Sequence, residues 1–167
     1  ELAIQWLMDA GLVHKVCQVS KPEAPLTFYE EADAFKLFLL DCGLLGAMNM
    51  TDATEAMLTD NIFEEYNGAL TEQLVLQELK CVPNLPVYYY TKQNSQQEID
   101  FVIEIKNHAI PVEAKAGEHL QAKSLKQFIQ ENKSEMAIKT SLKPYKSNEV
   151  IDNVPLYALY CYLQEPH

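Results

Sequence analysis

The feature that most constrains this chain is a pair of alternating apolar segments, residues 99–105 and 110–116, separated by four residues. Alternation with a period of two is typical of strands that have one buried face. A two-residue turn at Asn107 and His108 would join the segments as an antiparallel hairpin. Three apolar pairs then share one face: Phe101 with Ala114, Ile103 with Val112, and Ile105 with Ile110. The pattern predicts a hairpin with one face in the core. A register slip of one residue would turn that apolar face to solvent, so this register is favoured.

The same register predicts what lies on the other face of the hairpin. Asp100 stands opposite Lys115, and Glu113 is diagonal to Asp100. Diagonal neighbours on antiparallel strands lie roughly 7–8 Å apart at Cα, which lets two carboxylates reach one ion. We therefore expect Asp100, Glu113 and Lys115 to form one polar group.

A fourth candidate comes from the helix predicted over residues 68–80. Glu72 lies on its inward stripe, because apolar residues follow at helical spacing, at Val75, Leu76 and Leu79. A carboxylate on an inward stripe is unfavourable unless it is paired or binds a cation. Glu72 is therefore expected beside the polar group of the hairpin.

These four side chains suit a catalytic site for Mg²⁺ or Mn²⁺, because both ions prefer hard oxygen ligands. Asp100, Glu113 and Glu72 would be the metal ligands, and the bound cation would activate water and polarise a phosphate. Lys115 would orient or deprotonate that water and offset developing charge. Each residue also has an ordinary interpretation. Asp100 would be a strand-end acid, Glu113 and Lys115 part of a solvated strand, and Glu72 an acid near a helix N-terminus.

Charge is distributed unevenly along the chain, whose formal net charge is −11. Residues 1–66 hold three lysines against twelve acids, whereas residues 115–146 hold seven lysines against three acids. All thirteen basic residues are lysine, and arginine supplies the bidentate contacts that read phosphates and guanine edges. We therefore expect weak nucleic-acid binding at most, through the backbone and without sequence specificity.

The element pattern predicts an α/β fold with the core order αβββαβ from residue 67, followed by an apolar segment at 154–162. Residues 1–50 read as a partial winged helix: a helix, a strand at 12–19, a turn, a strand at 26–29 and a strand at 35–40. Residues 51–66 read as a helical connection to a domain at 67–167. Four scattered cysteines suit reduced cytosolic thiols, and no apolar run approaches the roughly 18 residues of a membrane span. A cytoplasmic protein without membrane contact is expected.

Several ordered motifs resemble one known family: GALTE at 68–72, EIDFVIE at 98–104, PVEAKAG at 111–117, SLK at 124–126 and VPLY at 154–157, preceded by KLFLLDCGLL at 36–45. They look like the C-terminal region of prokaryotic AAA+ ATPases. That resemblance implies a winged helix followed by a PD-(D/E)xK nuclease-like domain with a restriction-endonuclease-like core. It assigns the nuclease signature to Asp100, Glu113 and Lys115, with the helix acid at Glu72. It also implies an ATPase domain, with its ATP, in a part of the protein upstream of this sequence.

Two functions remain open at this point. One is a Mg²⁺- or Mn²⁺-dependent nuclease that hydrolyses phosphodiesters of DNA or RNA. The other is an inactive nuclease-fold module that docks onto the upstream ATPase domain or a protein partner. A winged helix that binds DNA without catalysis is a third interpretation, which the acidity of residues 1–66 disfavours.

Overall fold

The computed structural model describes residues 2–48, 63–92, 97–115 and 123–165, with side chains from residue 68 onward in the second range. Their elements follow in chain order: α1 (Leu2–Asp9), β1 (Val13–Val19), a 3₁₀ helix (Leu26–Tyr29), β2 (Glu30–Leu39), α2 (Cys42–Met48), α3 (Phe63–Lys80), β3 (Val87–Thr91), β4 (Glu98–Ile105), β5 (His108–Ala114), α4 (Lys123–Asn132), β6 (Ala137–Ser141), β7 (Lys146–Ser147), β8 (Ile151–Pro155), a second 3₁₀ helix (Leu156–Ala158) and α5 (Leu159–Gln164). None of the helices in these ranges is long and apolar enough to cross a bilayer.

The eight strands of the described ranges form one mixed sheet in the order β2-β1-β3-β4-β5-β6-β8-β7. The pairs β1–β2, β3–β4, β4–β5 and β7–β8 are antiparallel, whereas β5–β6 and β6–β8 are parallel. A parallel bridge between Gln18 and Tyr89 joins β1 to β3. The predicted α/β class is confirmed, while the restriction-endonuclease-like core and the winged helix stay predictions.

Helices cover both faces of the sheet. Helix α3 packs Val75, Leu76 and Leu79 into one cluster with Phe101 and Ile103. Helix α4 packs Leu125 and Phe128 into a second cluster, which includes Val102. Adjacent strand residues point to opposite faces, so α3 and α4 lie on opposite sides of the sheet. Full burial of each large apolar side chain contributes about 1.5–3 kcal/mol to stability.

The β4–β5 hairpin has the predicted faces but not the predicted register. Its pairs run from Phe101 with Val112 to Ile105 with His108. The turn is formed by Lys106 and Asn107, at φ 49° and 66°. Two successive residues with positive φ match the right-handed twist of a hairpin, which explains why the turn lies one residue earlier than predicted. The pairing is shifted by two residues, and an even shift leaves each side chain on its expected face.

A β-bulge interrupts β4 where it pairs with β3. Tyr88 pairs with Val102 and Tyr90 pairs with Ile99, so β4 has one more residue than β3 in this interval. Ile99 packs with the α4 cluster, whereas Phe101 packs with the α3 cluster. The strand therefore changes face at Asp100. Bulges often re-aim a side chain next to a functional site.

Strand β1 confirms the strand predicted at 12–19, and the strand predicted at 35–40 forms the end of the longer β2. The strand predicted at 26–29 is wrong, because these residues form a 3₁₀ helix after Pro25. Leu26 is fully buried there, and its N–H donates to Glu104 Oε2 at 2.8 Å. This side-chain acceptor replaces the sheet partner that a strand would have needed.

Two other predicted segments differ from the structure. The apolar segment at 154–162 divides into the end of β8, the second 3₁₀ helix and most of α5. Part of the connection predicted at 51–66 belongs to α3, which begins at Phe63, and residues 51–62 lie outside the described ranges.

Candidate acidic site

Glu113 is the most buried carboxylate of the predicted group. It lies on β5 and is 4% exposed. Its Oε1 accepts from Lys115 Nζ at 2.6 Å, and its buried Oε2 has no hydrogen-bond partner among the described residues. Burial raises the pKa of Glu113 to about 7; the charge of Asp100 adds to this rise, and Lys115 opposes it. A buried oxygen without a donor is unfavourable, so this atom is suited to a proton or a cation.

Asp100 lies at the β4 bulge and is fixed by β5. The Ala114 N–H donates to Asp100 Oδ2 at 2.8 Å, just beyond the last backbone pair, Phe101 with Val112. Burial raises the pKa of Asp100, while the Ala114 N–H and the charge of Lys115 act against the rise. Asp100 and Glu113 thus share a poorly hydrated environment in which two full negative charges are unfavourable.

Lys115 follows β5 directly. Its N–H donates to the Thr140 carbonyl at 3.1 Å, which extends the contact between β5 and β6 by one residue. Burial works to lower the pKa of Lys115, but the hydrogen bond to Glu113 and the charges of Asp100 and Glu72 outweigh it and raise the pKa. The pKa values of Lys115 and Glu113 both rise. Burial and then the charge of Asp100 raise that of Glu113, whereas three carboxylates outweigh burial at Lys115.

Glu72 reaches this group from α3. Its side chain is half-buried, and its Oε2 lies 3.8 Å from Lys36 Nζ. Burial raises the pKa of Glu72, the charge of Asp100 raises it further, and Lys36 opposes the rise. The structure therefore brings all four predicted residues into electrostatic contact, with Glu72 at the margin.

Two residues of the site were missed by the sequence prediction, Lys36 on β2 and Glu98 on β4. Lys36 Nζ lies 2.5 Å from Glu98 Oε1 and 5.1 Å from the centroid of the Tyr89 ring. Glu98 was within reach of sequence reasoning, because it precedes Asp100 by two residues on one strand. Lys36 was not, because its position depends on long-range pairing between strands.

The described residues thus bring four carboxylates and two ammonium groups to the site. Across the described ranges, no set of three or more His, Cys, Asp or Glu side chains is arranged closely enough to hold a metal ion. The donor chemistry nevertheless fits Mg²⁺ or Mn²⁺, since carboxylate oxygens predominate and Glu113 Oε2 is unpaired. Asp100, Glu113 and Glu72 are the residues that would hold such an ion, with some movement of their side chains.

Open space lies next to this site. A shallow cavity of about 380 Å³ is bordered by Lys36, Glu72 and Gln73. A second cavity, of about 510 Å³, lies at the turn end of the β4–β5 hairpin, beside Asn107 and His108. The larger cavity is lined by none of the four predicted site residues, and the smaller one by Glu72 alone of the four.

No curated protein and no solved structure matches this chain. The family model of a domain of unknown function, DUF4143, matches residues 67–159. This domain is commonly found in the C-terminal region of AAA-type ATPases. The match includes Glu72, Asp100, Glu113 and Lys115, whereas Lys36 precedes it. Because the match extends over more than half of the sequence, the chain belongs to the DUF4143 family.

Proposed function

We propose that Asp100, Glu113, Lys115 and Glu72 form the Mg²⁺- or Mn²⁺-dependent site of a nuclease that hydrolyses DNA or RNA phosphodiesters. The observation that carries this proposal is the unpaired, buried Glu113 Oε2 beside Asp100. Such a carboxylate is unfavourable in a metal-free core, and a divalent cation would stabilise it.

The cation, when bound, supplies the polarisation of a phosphate and a more acidic water. The chain's own residues supply orientation and charge. The Ala114 N–H fixes the Asp100 carboxylate, and Glu113 holds Lys115 Nζ at 2.6 Å. From that position the Lys115 ammonium would orient an attacking water and offset the negative charge that develops on the phosphate; its raised pKa disfavours the role of base that the sequence left open.

A basic group next to the acids supports a polyanionic substrate. Lys139 on β6 pairs with Glu113 on β5, so the two residues lie side by side on one face of the sheet. Burial lowers the pKa of Lys139, and the charges of Lys143, Lys126 and Lys115 lower it further. Four lysines with overlapping electric fields would bind a phosphate backbone, and without arginine they would bind it weakly and without sequence specificity.

The proposal also places this chain in the C-terminal part of an AAA+ ATPase, where DUF4143 is commonly found, and in the cytoplasm. In that arrangement residues 1–50 would form a partial winged helix. ATP would bind only in an upstream domain, which would also be a partner of the present site.

An inactive docking module is the second candidate. It is supported by Lys36 and Lys115, which already partner three of the four carboxylates. Exposed apolar side chains at Leu2, Trp6 and Met48 add to this support, because such residues suit a protein partner.

Cleavage of end-labelled single-stranded DNA, duplex DNA and RNA with Mn²⁺ tests the proposal. The wild type should cleave at least one substrate. Asp100→Asn and Lys115→Met should each reduce the cleavage rate by about 100-fold or more. Lys123→Met removes the same charge from an exposed position on α4 and should leave cleavage unchanged. Equal cleavage by Asp100→Asn would identify a contaminant. A folded wild type without cleavage, together with capture of an ATPase domain, would favour the docking module.

A further inference from the structure

Lys36 connects the N-terminal hairpin, formed by the antiparallel strands β1 and β2, to the acidic site. Its ammonium group lies between Glu72 on α3 and Glu98 on β4, at 3.8 Å and 2.5 Å from their nearest oxygens. We infer that Lys36 is the internal counter-ion of these two carboxylates, a fixed positive charge that a divalent ion must displace from Glu72. This inference rests on the proposed metal site.

The placement of Lys36 is a property of the fold. Lys36 pairs with Val16 on β1, and β1 is joined to β3 at Tyr89. Tyr89 also presents its ring to the ammonium at 5.1 Å, a favourable cation–π arrangement. Two residues further along the same face of β2, Phe38 packs against Phe101, with ring centroids 5.6 Å apart. Phe38 therefore anchors β2 in the core, and the pairing of Lys36 with Val16 anchors it in the sheet.

A second anchor holds β2 against α3. The Gln73 side chain accepts from the Leu39 N–H at 3.0 Å and donates to the Leu39 carbonyl at 2.8 Å. Because Gln73 follows Glu72 directly, the strand that carries Lys36 and the helix that carries Glu72 are held in one register. The backbone that carries the flexible Lys36 side chain is thus fixed beside Glu72.

The two contacts of Lys36 are unequal. The contact with Glu98 is a direct charge-assisted hydrogen bond, while 3.8 Å to Glu72 is an ion pair without a direct hydrogen bond. Glu72 is therefore the partner that Lys36 loses more readily. A divalent ion that takes Glu72 as a ligand competes with the ammonium for the same oxygen, and Lys36 keeps its contact with Glu98.

Calorimetric titration with Mn²⁺ tests this competition. Lys36→Met removes the competing charge and should tighten the Mn²⁺ dissociation constant about fivefold, the effect of one charge of about 1 kcal/mol. Lys36→Arg keeps the charge and should bind within twofold of the wild type. Equal or weaker Mn²⁺ binding by Lys36→Met would overturn the inference.

Lys15→Met is the matched control. It removes the same charge from the same hairpin, but Lys15 makes its contacts within that hairpin, with the Ala32 carbonyl at 2.8 Å and the Phe35 ring at 4.5 Å. Its Mn²⁺ affinity should stay within twofold of the wild type. A fivefold gain by Lys15→Met would show that any lysine removed from the hairpin tightens binding, which would also overturn the inference.

Thermal unfolding in the absence of metal separates this inference from the proposed function. Lys36→Met should lower the midpoint by about 2–4 °C, because Glu72 and Glu98 lose their counter-charge. In a Glu72→Gln, Glu98→Gln background the same substitution should lower it by less than half as much. If no variant binds Mn²⁺, the proposed function fails, and this cycle alone decides the role of Lys36. Equal shifts in both backgrounds would contradict that role.

Discussion

Residues 2–48 and residues 63–165 share one sheet, yet they are stabilised in different ways. Helices α1 and α2 of the first region bury none of their residues, and Trp6 is 69% exposed. Helices α3 and α4 of the second region bury several apolar side chains fully, Leu76 and Phe128 among them. The first region joins the second through its strands and not its helices: Val16 and Phe38 belong to the α3 cluster, and Val19 to the α4 cluster. The comparison teaches that the N-terminal region depends on the core for its position, while it supplies Lys36 to the site of that core.

The largest expected change in unfolding free energy comes from the core of the second region. Phe101 is fully buried in one cluster with residues of α3 and β5, and its ring packs against Phe38 of β2. Phe101→Ala should lower the free energy of unfolding by about 3–5 kcal/mol, because it leaves a cavity where both regions meet. Chemical denaturation measures this loss. A loss below about 1 kcal/mol would mean that the cluster is not the centre of the core.

The next effect concerns the carboxylates of the site and depends on pH. The pKa of Glu113 is about 7 in the folded chain, above its ordinary value of 4.5. Between these pH values the folded chain keeps a proton that the unfolded chain has released, so stability falls as the pH rises. This contribution is fully present below about pH 4.5 and lost above about pH 7, and it amounts to at most about 3 kcal/mol.

Denaturation of the wild type and of Glu113→Gln across that range, without metal, measures the effect of this carboxyl group. The stability of the wild type relative to the variant should fall between pH 4.5 and 7. Parallel curves for the two proteins would contradict the assigned environment of Glu113.

A smaller effect sharpens the comparison at the junction between the regions. Gln73 is 2% exposed and makes both of its side-chain contacts with the Leu39 backbone. Gln73→Met should cost about 2 kcal/mol of unfolding free energy, since it leaves a backbone donor and acceptor without partners. The control Gln127→Met removes an exposed hydrogen bond to Glu131 and should cost less than about 0.5 kcal/mol. Equal costs would show that the junction does not depend on Gln73.

The smallest effect belongs to the exposed helix α1. Trp6→Ala should change the unfolding free energy by less than about 0.5 kcal/mol, because the ring contributes little to the buried core. Chemical denaturation of Trp6→Ala and Phe101→Ala in parallel measures the smallest and the largest change in unfolding free energy. A cost above about 2 kcal/mol would remove the contrast between the two regions.

Local pattern predicted much of the second region. Alternation in 99–105 and 110–116 identified both strands and their faces, and helical spacing identified α3 and α4. Asp100, Glu113 and Lys115 were predicted together because a shift of two residues preserves the face of each side chain. The register itself depends on the backbone of Lys106 and Asn107, which apolar pattern does not encode.

Other features could not be predicted because they depend on distant residues. The bulge at Asp100 appears only when β3 pairs with β4, and Lys36 reaches the site only because β1 bridges to β3. The buried position of Gln73 needs Leu39 as its partner, so helical periodicity alone gives no reason for a glutamine there. Sequence pattern fixes faces well, but contacts between regions come from tertiary pairing.

The most direct test of the proposed site is calorimetric titration of Mn²⁺ into the wild type, Asp100→Ala and Glu113→Ala, with circular dichroism to confirm that each variant is folded. The account predicts one saturable site in the wild type and at least tenfold weaker binding in both variants, because each loses a carboxylate that would hold the ion. Equal binding by the folded variants, or no binding by the wild type, would contradict a metal site at Asp100 and Glu113.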